Sequence, residues 1–173
     1  MARQGRIAPW VSAASPFEVV SLAIQMERGA VRQYARMGMS ARSALLRAKF
    51  RYLAEEEREH ARLLAGLRRN LRRPEKTLPI PRDFMAEATG TLAGDRISDA
   101  LKLAIRNEVS AEAFYRNCAQ RARKAGVRKL FNDLADREVR HKEFLQDELS
   151  QQTGMFPWRG LEGALPSEED FWG

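Results

Sequence analysis

Only two histidines occur in this chain of 173 residues, and each closes the same phrase: Glu57-Arg58-Glu59-His60 and Glu138-Val139-Arg140-His141. On a helix, a Glu-x-x-His phrase puts a carboxylate and an imidazole side by side on one face, where both can bind a single cation. Each phrase has a further glutamate 30 positions before its own, Glu27 and Glu108. Four carboxylates and two neutral imidazoles offset the charge of two divalent ions. An oxygen-rich set with one nitrogen per metal suits iron or manganese better than structural zinc. A lone Glu-x-x-His is more often a surface ion pair. A second copy, with an identically spaced partner, makes the pattern specific.

The two phrases lie 81 positions apart, and the same shift superimposes Tyr34 on Tyr115, Phe50 on Phe131, Leu53 on Leu134, Ala54 on Ala135 and Leu64 on Leu145. Between residues 22–64 and 103–145, 16 of 43 pairs are identical, and Glu27, Glu57 and His60 are among them. The chain therefore reads as an ungapped internal duplication, which predicts a two-fold symmetric site.

Four amphipathic helices must position these groups. Ser15-Pro16-Phe17-Glu18 is a capping box with proline in the first turn, so a first helix is expected from about Pro16 to Met37, closed by Gly38. Its inward stripe is Val20, Ala23, Ile24, Glu27, Ala30, Val31 and Tyr34. Ser40 is a candidate cap for a second helix running to about Asn70, with the stripe Leu46, Phe50, Leu53, Glu57, His60 and Leu64. So short a connection makes the two an antiparallel hairpin. Residues 71–97 break the pattern with Pro74, Pro79, Pro81, Gly90 and Gly94, apart from a possible short helix over 82–88. A third helix is expected from Ser98 or Asp99, with Leu101, Ala104, Ile105, Glu108, Ala111, Tyr115 and Cys118 inward. The chain then turns near Gly126 into a fourth helix carrying Val127, Phe131, Leu134, Glu138, His141 and Leu145. The expected fold is all-α: a ferritin-like four-helix bundle of two antiparallel hairpins joined by a long crossover. Residues 1–15 read as an N-terminal extension, 16–151 as the bundle and 152–173 as an irregular tail.

All six candidate ligands sit on the apolar stripes of their helices, an expensive place for charge. An unpaired buried carboxylate costs several kcal/mol, and four close together repel unless protonated or neutralised. Glu27 and Glu57 are about equally far from the first turn, and Glu108 and Glu138 from the second, so all six can meet at one height. One Glu from each of two helices and a Glu-x-x-His from each of the others is the way such bundles hold two iron or manganese ions.

Composition removes other classes. No apolar run reaches the roughly 20 residues that span a bilayer. The first 15 residues lack the apolar segment of a signal peptide, and a cytoplasmic location is expected. The single cysteine, Cys118, excludes an internal disulfide or a Cys-x-x-Cys knuckle and is expected to be an inert core thiol. Net charge +7 invites a nucleic-acid partner. The arginines, however, are spread at helical spacing as on a solvated face, with only residues 67–76 forming a dense patch. No nucleic-acid or membrane partner is expected.

Glu27 to Tyr34, Glu55 to His60, Ala104 through Tyr115, and Asp136 to His141 resemble the metal-binding helices of rubrerythrin-like proteins of the ferritin-like superfamily. The resemblance implies a dinuclear site of two iron ions per chain, with manganese or zinc as substitutes. It assigns Glu57 and Glu138 as bridging carboxylates, Glu27 and Glu108 as terminal ligands, and His60 and His141 as one nitrogen each. Its implied activity is peroxide reduction, with ferroxidase or iron-storage activity as the alternative and a di-iron hydroxylase or a basic DNA-protecting protein behind them. The four cysteines of a rubredoxin domain do not occur in this sequence, so electrons are expected from an external donor such as rubredoxin, and a homodimer is expected. The additional third-helix carboxylate of rubrerythrins has no counterpart at Ala111; Glu112, one position on, is expected at the surface or beside the ligands. Tyr34 and Tyr115, two turns beyond Glu27 and Glu108, are candidates for hydrogen-bonding a ligand carboxylate or supplying an electron.

Overall fold

The computed structural model describes residues 10, 13–78 and 97–154. It contains four long helices: α1 (Pro16–Ser40), α2 (Ala44–Arg69), α3 (Ile97–Arg121) and α4 (Ala125–Thr153). The expectations for 82–88 and for the chain beyond Gly154 lie outside the described residues. No helix among those described is long and apolar enough to cross a membrane.

The capping box at the start of α1 forms as its sequence requires. Ser15 accepts from the Glu18 amide, and the Glu18 carboxylate accepts from the Ser15 amide at 2.8 Å. The first turn differs from expectation in two details. Helix α1 does not close at Gly38 but runs to Ser40, and Ser43 rather than Ser40 caps α2, its hydroxyl accepting from Leu46. Gly38 lies within the helix, where a Cβ would make only ordinary contact, 3.7 Å from that of Phe50. The α1 carboxyl end is satisfied from the next helix, because Arg47 donates at 3.0 Å to the carbonyls of both Ala41 and Arg42. The repeat does the same at the second turn, where Arg128 donates to the Ala122 carbonyl at 3.0 Å. Ala41, Arg47, Ala122 and Arg128 are pairs under the 81-residue shift. Gly154, left-handed at φ 67°, ends α4.

Helices α1 and α2 pack closely as one hairpin and α3 and α4 as the other, and the hairpins approach each other less closely. Tyr34 meets Glu108 and Tyr115 meets Glu27, so α1 and α3 run antiparallel. His60 lies by Glu138 and His141 by Glu57, so α2 and α4 do too. It follows that α2 and α3 are parallel, and the chain between them has to travel from one end of the bundle to the other, as the expected crossover demands.

Two apolar cores lie above and below the ionisable layer. One gathers Leu22, Ile24, Leu64, Tyr115, Phe131 and Leu134; the other gathers Tyr34, Phe50, Leu53, Leu101 and Leu145. Partners under the repeat shift fall in opposite cores: Phe131 in one and Phe50 in the other, Leu64 in one and Leu145 in the other. The duplication is thus realised as a pseudo-two-fold axis perpendicular to the bundle, passing through the layer between the cores. Each fully buried leucine contributes about 2 kcal/mol, so the apolar layers carry the fold while the charged layer works against it. The symmetry is broken near one end, where Lys49 pairs with buried Glu148 at 2.7 Å and the repeat places Leu130 and Leu67.

Candidate metal centre

All six sequence-predicted donors converge. Glu57 and His60 are 0% exposed, Glu138 1%, Glu27 and Glu108 3% and His141 5%. Nδ1 of His60 lies 3.0 Å from Glu57, 3.2 Å from Glu138 and 3.8 Å from Glu27. Nδ1 of His141 lies 3.0 Å from Glu57, 3.5 Å from Glu138 and 3.9 Å from Glu108. The two imidazoles stack at 5.4 Å between ring centres, across the pseudo-two-fold axis.

The donors fall into two overlapping groups that could each hold a metal: Glu27, Glu57, His60 and Glu138, and Glu57, Glu108, Glu138 and His141. Glu57 and Glu138 belong to both. Each group adds one histidine and one outer glutamate of its own. Both oxygens of Glu57, both ring nitrogens of His60, Oε1 of Glu138 and Nδ1 of His141 are buried without a hydrogen-bond partner among the described residues. Such atoms are costly to desolvate unless something binds them. A hard, oxygen-rich donor set with one imidazole on each side fits a pair of iron or manganese ions.

Tyr34 and Tyr115, singled out for their spacing, hydrogen-bond across the bundle. The Tyr34 hydroxyl donates to Oε1 of Glu108, and that of Tyr115 to Oε1 of Glu27. Each tyrosine therefore grips the glutamate of the other repeat and leaves its Oε2 facing a histidine, at 3.8 Å for Glu27 and 3.9 Å for Glu108.

Without metal, the layer has to distribute protons among charges that repel. Burial, reinforced by the charges of Glu57 and Glu138, pushes the Glu27 and Glu108 carboxyls well above their ordinary range. Burial also opposes the Glu57 carboxylate, but the imidazoles of His141 and His60 outweigh it and hold its pKa below the usual value. Glu138 is lowered in the same way, against burial and the charge of Glu57. In return the histidines are raised against their own burial, His60 to about 12 by Glu138, Glu27 and Glu57, and His141 to about 9 by Glu138 and Glu57. These shifts favour the charged form of the two central carboxylates and of the imidazoles, and the protonated form of the two outer carboxyls.

Two further expectations are met among the described residues. Glu112 pairs with Lys142 at 3.1 Å and belongs to neither donor group. Cys118 is buried in the core as expected, and burial pushes its thiol up to about 12. Sequence reasoning missed a half-buried amide pair, in which Asn107, the neighbour of Glu108, donates to Gln33 at 2.8 Å. It also missed the Glu56 and Arg137 ion pair across α2 and α4 at 3.6 Å. The repeat itself carried the second signal, because positions 56 and 137 are equivalent and flank the two shared carboxylates.

The family model of rubrerythrin matches residues 18–88 and 99–156, which include all six donors. The chain belongs to the rubrerythrin family. Among solved structures, a hypothetical protein from Pyrococcus furiosus is 24% identical, with a TM-score of 0.64, over 81% of this chain and 91% of that one. An uncharacterised conserved protein from Magnetospirillum magnetotacticum is 20% identical, with a TM-score of 0.63, over 88% of this chain and 98% of that one. At these identities the likeness is one of fold. No curated protein sequence matches. Rubrerythrin membership accounts for the bundle, for the doubled Glu-x-x-His phrase and for their meeting in one buried layer.

Proposed function

We propose that this rubrerythrin-family chain is a non-haem di-iron oxidoreductase that reduces hydrogen peroxide to water with electrons from a separate donor protein such as rubredoxin. The observation that carries the reading is the overlap of the two donor groups at Glu57 and Glu138. In this reading Glu57 and Glu138, common to both groups, would be shared between two metal ions, which Glu27 and His60 on one side and Glu108 and His141 on the other would help to hold. When bound, the metal pair supplies two reducing equivalents and Lewis acidity for cleavage of the oxygen–oxygen bond.

The protein's part is to hold, orient and exclude. Tyr34 and Tyr115 fix the outer glutamates so that each keeps one oxygen directed inward. The apolar cores close the layer above and below and keep out bulk water. His141, at 5%, is the most exposed of the six, and in this reading substrate would approach the centre from its side. Each turnover consumes one peroxide, two electrons and two protons and releases two waters. Six protein donors leave little freedom for an ion to depart, which favours a resident cofactor over a transported cargo.

Stopped-flow oxidation of the anaerobically Fe(II)-loaded chain tests this. Peroxide should oxidise the iron much faster than oxygen does, two irons should remain bound, and repeated turnover should follow once a donor is supplied. Uptake of tens of Fe(II) per chain under air, without a donor, would show ferroxidase and storage chemistry instead.

A further inference from the structure

The six donors are closed on three sides: by an apolar core above, another below, and the two tyrosines towards α1 and α3. The remaining side is the groove between α2 and α4, and there an ion pair lies on the pseudo-two-fold axis. Glu56 and Arg137 are equivalent positions of the repeat and meet at 3.6 Å. Their side chains are 30% and 33% exposed, so Glu56 touches solvent. Inward, a carboxylate oxygen of Glu56 and one ring nitrogen each from His60 and His141 lie within 4.8 Å of one another. At that spacing the three could hold one cation.

Two observations show that this position is prepared to exchange its cation. His60 is fully buried, and while its Nδ1 faces Glu57 and Glu138, its Nε2 has no hydrogen-bond partner among the described residues and is the ring nitrogen left for an incoming ion. The Arg137 contact is longer than a hydrogen bond and partly solvated, so Arg137 holds Glu56 loosely. A divalent ion carries twice the charge of a guanidinium and approaches a carboxylate more closely, which lets it take that place.

We infer that Glu56, His60 and His141 form an outer docking position for a divalent cation, through which metal ions reach the six-donor centre, with the Arg137 guanidinium occupying the cation's place until an ion displaces it. The inference rests on the dinuclear reading above. Glu56 is a ligand of passage and not a resident one.

The test follows Co(II) binding to the metal-free full chain by stopped-flow absorption, with Co(II) titration giving the stoichiometry. Glu56→Gln should slow binding by about tenfold, since it removes the local charge that attracts and receives the ion. Arg137→Gln should accelerate it. Asp133→Asn, which removes the same charge from an exposed carboxylate paired with Lys129, should change the rate by no more than about twofold. All three variants should still bind two ions. Unchanged rates in Glu56→Gln, equal slowing in Asp133→Asn, or slowing in Arg137→Gln would each overturn the inference. So would loss of one bound ion in Glu56→Gln, which would make Glu56 a resident ligand. Fewer than two ions bound by the unaltered chain would overturn the dinuclear reading itself, a result separate from any change in rate.

Discussion

The shared position of Glu57 and Glu138 has a consequence that titration can read. Removing either by substitution with alanine should weaken both metal ions, whereas Glu27→Ala or Glu108→Ala should weaken mainly one. Calorimetric titration distinguishes the two patterns, and equal single-ion losses for all four variants would contradict bridging. Tyr34→Phe and Tyr115→Phe keep the packing but release Oε1 of Glu108 and Glu27, so each should lower the affinity of one ion by about 10- to 100-fold. The pH dependence follows from the proton balance of the layer. The histidines are raised in the folded state, so their contribution is complete below the ordinary value of 6.5 and is lost as pH rises through about 9 for His141. The raised carboxyls of Glu27 and Glu108 act in the same direction, and the lowered Glu57 and Glu138 are already ionised there. The Tm of the metal-free protein should therefore fall between pH 6.5 and 9. The gain in Tm on adding metal should grow over the same interval, because metal binds the deprotonated donors. A metal-free Tm that rises with pH there would refute this account of the layer. The convergence of these six side chains was legible in the sequence because they depart so plainly from an apolar stripe. The direction of the tyrosine bonds was not, because spacing along one helix places Tyr34 near Glu27 and says nothing about Glu108 opposite.

The elements were legible where a local signal was unambiguous. The capping box fixed the start of α1, and the apolar stripe of α2 is buried throughout, from Leu46 to Leu64. The first turn was misread because two serines compete for one cap. What favours Ser43 is Arg47, placed one turn into α2 where it reaches the carbonyls of Ala41 and Arg42, a tertiary fact absent from capping preference. Other misreadings have the same origin. Val31 lies on the drawn stripe of α1 and is only half-buried, while Gln33, off the stripe, is buried against α3. If the arginine clips hold the turns, Arg47→Ala and Arg128→Ala should each destabilise by about 1 kcal/mol in urea titration. Leu53→Ala in the core should cost about 3 kcal/mol. The reverse ranking would mean that the turns, not the cores, hold the hairpins.

At the scale of the whole molecule, the charged layer, like each apolar core beside it, draws on all four helices. Metal binding should therefore tie the two hairpins together. At a hundredfold excess over Kd, each site adds about 2.7 kcal/mol to the stability of the folded chain. Hydrogen exchange should slow along all four helices when two ions bind. Protection confined to residues beside the donors would show that the hairpins unfold independently of the centre.

The pseudo-two-fold axis is imperfect in one telling place. Gln33 and Asn107 flank Tyr34 and Glu108, and where this polar pair stands the other repeat has Phe114 and Met26, flanking Tyr115 and Glu27. One outer glutamate thus has an amide, Asn107, as its chain neighbour and the other a thioether, Met26. A strictly duplicated centre would present two indistinguishable coordination spheres. Unlike neighbours around identical ligands would make a metal pair bound here unequal in reduction potential, and a single added electron would settle on one of them. In a Mössbauer spectrum the half-reduced centre would show two unlike sites, a polarity written into the protein by two residues that touch neither metal.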